Sequence, residues 1–170
     1  MMKTQILGID LGTTNCALAA ANVEDGAVQT LGVPQVTAPR MLGEPGGLPS
    51  ALYVPQQHEF AAGDFALPWT EGDALPVAGA YARSHGPNVA EQLIHSAKSW
   101  LCNPNVHPDE AILPWQSTAV AEKLSPLSVS STYLAHLKAA YEHRQGAAAD
   151  AAQTQAVITV PASFDDAARR

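Results

Sequence analysis

Short apolar runs separated by polar turns dominate the opening of the chain. Ile6, Leu7, Ile9 and Leu11 form one run, broken once by the carboxylate of Asp10, and a second extends from Cys16 to Ala21. Two such runs bounded by Gly12-Thr13-Thr14 predict the strands of a hairpin. Glu24-Asp25-Gly26 reads as the next turn, and Ala27 to Val33 as a third strand of an antiparallel meander. Pro34 to Pro49 is rich in Pro and Gly, which predicts irregular chain. Ser50 to Val54 and Glu59 to Gly63 read as two short strands around Pro55-Gln56-Gln57-His58, and the Ala-rich stretch Asp64 to Arg83 as room for one or two short helices.

Helical spacing then takes over. Val89, Ala90, Leu93, Ile94, Ala97, Trp100 and Leu101 lie on one stripe, with Asn88 as a cap and Glu91 three residues on, which predicts a helix over Asn88 to Leu101 with Lys98 in its last turn. A cation there is favourable near a helix C-terminus and needs no other role. Prolines recur from Asn103 to Pro126, an irregular crossing. Ser128 to Arg144 gives the clearest helix, with Leu134, Leu137 and Tyr141 on one face. Ala156 to Val160 is rich in β-branched residues and reads as a strand ended by Pro161, and Asp165 to Arg170 opens a further helix. Because the sequence stops inside the first turns of that helix, it is expected to be the N-terminal piece of a longer protein.

Composition narrows the function classes. At 170 residues and 46% hydrophobic, the chain can build a core of about one domain. A formal net charge of −7 argues against binding nucleic acid or anionic lipid, both of which need clustered Lys and Arg. No leader or membrane-spanning run is read, and two cysteines, Cys16 and Cys102, are expected as free thiols, so the cytoplasm is the expected compartment. The six histidines lack metal-ligand spacing, and Trp69, Trp100 and Trp115 are expected to pack rather than stack on bases.

Chemistry concentrates at the hairpin turn. Gly12 permits close backbone approach, while Thr13, Thr14 and Asn15 offer hydroxyls, an amide and successive N–H groups at one tip. Such a tip can hold phosphate oxygens, with Asp10 beside it to orient the waters of Mg2+. The spacing matches neither GxxxxGK[ST] nor GxGxxG. An ordinary hairpin with a polar turn remains the competing reading.

Three separated stretches resemble one family. Ile9-Asp10-Leu11-Gly12-Thr13-Thr14-Asn15 is similar to the first phosphate motif of the actin-like ATPases, and within them to the seventy-kilodalton heat-shock chaperones of the DnaK type. Ser96-Ala97-Lys98 resembles the segment carrying their catalytic lysine, and Val157 to Arg169 their strand-Pro-Ala-aromatic-helix signature. Leu48-Pro49-Ser50 and Ala62-Gly63-Asp64 fall in the same order. The resemblance implies an α/β fold: a ribonuclease-H-like core lobe from residues 1–33 and 126–170, and a smaller inserted lobe from 34–125. It implies ATP and Mg2+ as ligands, Gly12, Thr13, Thr14 and Asn15 at the phosphates, Asp10 at the Mg2+ waters, and Lys98 at the γ-phosphate and attacking water. Pro161 and Arg169 would relay nucleotide state to a substrate-binding domain. Unfolded polypeptide clients, a J-domain co-chaperone and a nucleotide exchange factor would be the partners, and the function an ATP-hydrolysing chaperone in protein folding and the stress response.

The chain also departs from the pattern. Ser99-Trp100 follow Lys98 where the family commonly has Arg, and Ser163 stands where it usually has Tyr. A divergent bacterial-type member is expected. The second phosphate loop, the adenosine segment and further acidic Mg2+ positions would lie beyond Arg170, so this stretch alone is expected to be inactive, with weak nucleotide affinity. A filament-forming actin-like protein and a kinase of the same superfamily remain open as alternatives.

Overall fold

The computed structural model describes residues 5–146 and 154–160. Its centre is a mixed sheet in which β1 (Gln5–Asp10) runs antiparallel to β2 (Asn15–Asn22), and β2 antiparallel to β3 (Val28–Leu31). These are the three strands the hydrophobic pattern predicts. Leu7 and Ile9 of β1 and Cys16 and Leu18 of β2 alternate into the core, as the period of two requires.

Downstream, the Pro/Gly-rich stretch is more regular than its composition suggests. β4 (Gln35–Ala38) and β5 (Met41–Gly43) form a bulged hairpin, and β6 (Leu48–Pro49) pairs with the start of β2. Pro49 is tolerated because β6 is a two-residue edge segment, where a missing N–H breaks no ladder. β7 (Ala51–Tyr53) lies between β8 (Val77–Ala78) and β9 (Leu93–His95) in a second sheet. Glu59 to Gly63 is therefore not a strand. It turns through the ring cluster of Tyr53, Phe60, Phe65 and Tyr81, and β8 and β9 take the places beside β7.

One short helix, α1 (Ala80–His85), forms in the Ala-rich region. The single helix expected over Asn88 to Leu101 is replaced by three elements. A 3-10 segment covers Gly86–Gln92, with Val89 out of helical geometry, then β9, then α2 (Ala97–Leu101). Ser96, at φ 58°, makes the corner between β9 and α2. Ile94 and Ala97 are still buried, so the apolar residues reach the core by a different backbone path.

The chain crosses irregularly to α3 (Pro126–Gln145), the longest element. Ser125 caps it: the Ser125 hydroxyl accepts from Ser128 N–H and the Ser128 hydroxyl from Ser125 N–H, both at 3.0 Å, with Pro126 in the first turn. Val129, Tyr133, Leu137, Ala140 and Tyr141 bury one face. β10 (Thr154–Thr159) then returns parallel to β1, giving the order β10-β1-β2-β3. The principal core cluster joins β1, β2, α3, Leu48, Leu52, Ile94, Ala97 and Leu113, and a second gathers Tyr53, Phe65, Val77 and Tyr81. Cys16 is buried and Cys102 exposed, and neither forms a disulfide. No described helix is long and apolar enough to cross a membrane. Pro161, Arg169 and the helix expected from Asp165 lie outside the described residues.

Candidate functional site

β1 ends at Asp10 and β2 begins at Asn15, so Leu11 to Thr14 form the tip of the central hairpin. Leu11 is buried and anchors the tip, while Thr13, Thr14 and Asn15 are exposed. Gly12 is required by packing: a Cβ there would stand 2.0 Å from the Asn15 carbonyl oxygen. The turn can close this tightly only around a residue without a side chain.

Asp10 is exposed at the last position of β1. Its register partners are Ala17 on β2 and Thr159 on β10, and Thr159 Oγ1 donates to Asp10 Oδ1 at 2.7 Å. The carboxylate is thereby oriented by one neighbour at the exposed end of the strand. Lys98 comes to the same place from α2. Its ammonium donates to the Leu11 carbonyl, bridging 87 residues, and the side chain is half-buried. The left-handed corner at Ser96 turns the chain from β9 into α2 just before this lysine.

The inner side of the tip rests on Ser50. Its hydroxyl donates to Gly12 O at 2.7 Å and its N–H to Thr14 O at 2.9 Å. Cys16 Sγ lies 3.4 Å from the same hydroxyl. Burial pushes the Cys16 thiol above its ordinary value, with the Ser50 contact partly opposing the shift, so it is protonated and unreactive at neutral pH. On the outer side, Arg83 of α1 donates to Asn15 Oδ1 at 3.2 Å.

The structure therefore gathers Asp10, Gly12, Thr13, Thr14, Asn15 and Lys98 at one tip. Sequence reasoning assigned no role to Thr159, Ser50 or Arg83. Thr159 carried a faint signal as the hydroxyl inside an aliphatic strand, and Ser50 lay in a noted motif; Arg83 carried none. Among the described residues, no group of three or more His, Cys, Asp or Glu is placed to hold a metal ion. A lone carboxylate beside hydroxyls suits a cation that keeps most of its waters, as Mg2+ does. The tip thus brings together exposed hydroxyls and an amide, the cations Lys98 and Arg83, and the carboxylate of Asp10. The sequence model of the family described as Hsp70 protein matches residues 6–170 of the chain.

Proposed function

The chain belongs to the Hsp70 family, and from that premise we propose that it binds Mg-ATP at the tip of its first hairpin and contributes to hydrolysis there. The turnover drives binding and release of unfolded polypeptide. The observation that carries this reading is the meeting of Lys98 with the Asp10–Asn15 tip. An ammonium is drawn from a distant helix to a loop whose hydroxyls and amide are exposed, beside an oriented carboxylate.

Bound Mg-ATP supplies the phosphoanhydride and a divalent charge. Gly12, Thr13, Thr14 and Asn15 bind phosphate oxygens through backbone N–H groups, hydroxyls and the amide. Asp10, steadied by Thr159, would accept hydrogen bonds from the waters of a bound Mg2+. Lys98 holds positive charge against the γ-phosphate and orients the attacking water. Positioning and charge stabilisation are most of what phosphoryl transfer asks of a protein. The same proposal includes a ribonuclease-H-like core lobe (1–33 and 126–170) with an inserted lobe (34–125), and Pro161 and Arg169 as relays of nucleotide state. It also includes a J-domain co-chaperone and a nucleotide exchange factor as partners, bacterial-type descent and a cytoplasmic site of action.

The test is ATP turnover by the full-length protein with and without an unfolded peptide, alongside Lys98→Ala. Peptide-stimulated turnover is expected, and Lys98→Ala should lower it by roughly two to three orders of magnitude while nucleotide still binds. Unchanged turnover in the variant would overturn the role of Lys98. Nucleotide-dependent polymers, or a phosphorylated small-molecule product, would replace the chaperone with a filament protein or a kinase.

A further inference from the structure

The underside of the tip makes contacts of its own. The Gly12 and Thr14 carbonyls both accept from Ser50, a residue 38 positions from Gly12 that lies between β6 and the first residue of β7 in a different sheet. Ser50 is 4% exposed and uses both of its donors on this one loop. Its hydroxyl proton is committed to Gly12, and the Cys16 sulfur lies beneath the same loop, 3.4 Å from the Ser50 oxygen and 4.0 Å from the Gly12 carbonyl oxygen. Pairing of Asn15 with Pro49 and of Cys16 with Leu48 holds Ser50 in this position. Gly47 allows the close approach, since a Cβ there would lie 3.0 Å from the Cys16 carbonyl oxygen.

From this arrangement we infer that Ser50 is a positioning residue for the phosphate site: a two-pronged strut that turns the loop carbonyls inward and leaves the N–H groups and hydroxyls to an anion. The inference rests on the reading of the tip as a phosphate site. A carbonyl facing an anion repels it, so a loop free to rotate its peptides loses affinity without any change in the residues that touch phosphate. Ser50 touches no ligand in this account. It acts through Gly12 and Thr14, and its position in β6–β7 couples the loop to the second sheet.

Two readouts separate the strut from the site it supports. In the full-length protein carrying Cys102→Ser, Cys16 is the thiol beneath the loop, and its alkylation by a maleimide reports loosening. Ser50→Ala should label at Cys16 at least about fivefold faster and bind ATP about five- to tenfold more weakly, as loss of one buried hydrogen bond implies. Its thermal midpoint without nucleotide should fall by no more than the few degrees that one lost buried hydrogen bond implies, and Ser50→Thr, which keeps the hydroxyl, should restore both readouts. Unchanged labelling and unchanged ATP affinity in Ser50→Ala would overturn the strut. So would weaker affinity that Ser50→Thr fails to restore while it folds normally. If the parent itself binds no ATP, the phosphate reading fails, and the labelling experiment alone still decides whether Ser50 holds the loop.

Discussion

Gly12 and Gly8 sit in the same hairpin, yet physical argument separates them. At Gly8 a Cβ would meet only the Ala19 carbonyl oxygen, at 3.8 Å, an ordinary contact. At Gly12 it would drive into backbone at 2.0 Å, and the loop could yield only by releasing its bonds to Ser50. Gly12→Ala is therefore expected to weaken ATP binding by at least about tenfold and to cost about 1–3 kcal/mol of stability, as forced overpacking does. Gly8→Ala should leave both nearly unchanged. Isothermal titration with ATP and urea unfolding of the two variants check this, and equal behaviour of the pair would contradict it. What the sequence could show of the site follows the same logic. Asp10, Gly12 and the Thr-Thr-Asn run are contiguous, so their chemistry is visible in a line of text. Ser50, Arg83 and Thr159 reach the tip from 38, 68 and 149 residues away, through strand pairing and helix placement that no local pattern encodes.

Among the elements, α3 and the opening hairpin were legible because each satisfies its own local rules. In α3, Leu134, Leu137 and Tyr141 on one face mark the helix from Ser128 to Arg144, while the Ser125–Ser128 capping pair and Pro126 start it two residues earlier, and Gly146 stands at positive φ where it ends. The segment from Gly86 to Leu101 was misread because its apolar spacing fits a helix, while hydrogen bonding to β7 holds Leu93–His95 as a strand. Tertiary pairing there overrides local period. α3 also carries a titratable group into the interior. His136 is buried, its Nε2–H donates to the Pro34 carbonyl at 2.8 Å, and Trp69 meets its ring edge-on at 5.3 Å. The neighbours that share its cavity, among them Val36, Leu67, Trp69, Val77 and Thr132, carry no charge. Burial lowers the His136 pKa from its ordinary 6.5, only partly offset by the bond to Pro34. On acidification the unfolded chain thus takes up a proton before the folded one. The contribution to stability is complete above about pH 6.5 and is lost as pH falls through the lowered folded value. The urea midpoint should fall between about pH 7 and pH 5, and less steeply in His136→Gln, which keeps a donor toward Pro34 but cannot titrate. Parallel pH profiles for the two proteins would show that protonation of His136 is not the cause.

At the level of the whole molecule, the question is whether the segments that build the site stand or fall together. The principal core cluster contains Leu7, Ile9 and Leu11 leading to the tip, Leu48 beside Ser50, Ala97 beside Lys98, and Val129, Tyr133 and Leu137 from α3. Trp69 and Trp100 pack against its edge. Gly12, Asn15, Ser50 and Lys98 are therefore carried on segments with residues in the same apolar mass, whereas Arg83 comes from α1, whose Tyr81 and Ala82 lie in the second cluster, and Thr159 from β10, which is exposed beyond Thr154. Leu137 is fully buried in that cluster. Leu137→Ala should cost about 2–5 kcal/mol, the range for truncating a core leucine. Because the damage falls on a shared core, helix content by circular dichroism and tryptophan fluorescence should fall in one coincident urea transition, displaced to lower denaturant. Early loss of the helical signal with the indole environment intact would mean that α3 unfolds independently of the segments bearing Ser50 and Lys98. The hairpin tip would then be held by its own hydrogen bonds to Ser50 and Lys98. Coincident transitions would instead make the geometry of the proposed phosphate site a property of the entire core, so that a defect of three carbons on the buried face of α3 reaches the tip through loss of the fold as a whole.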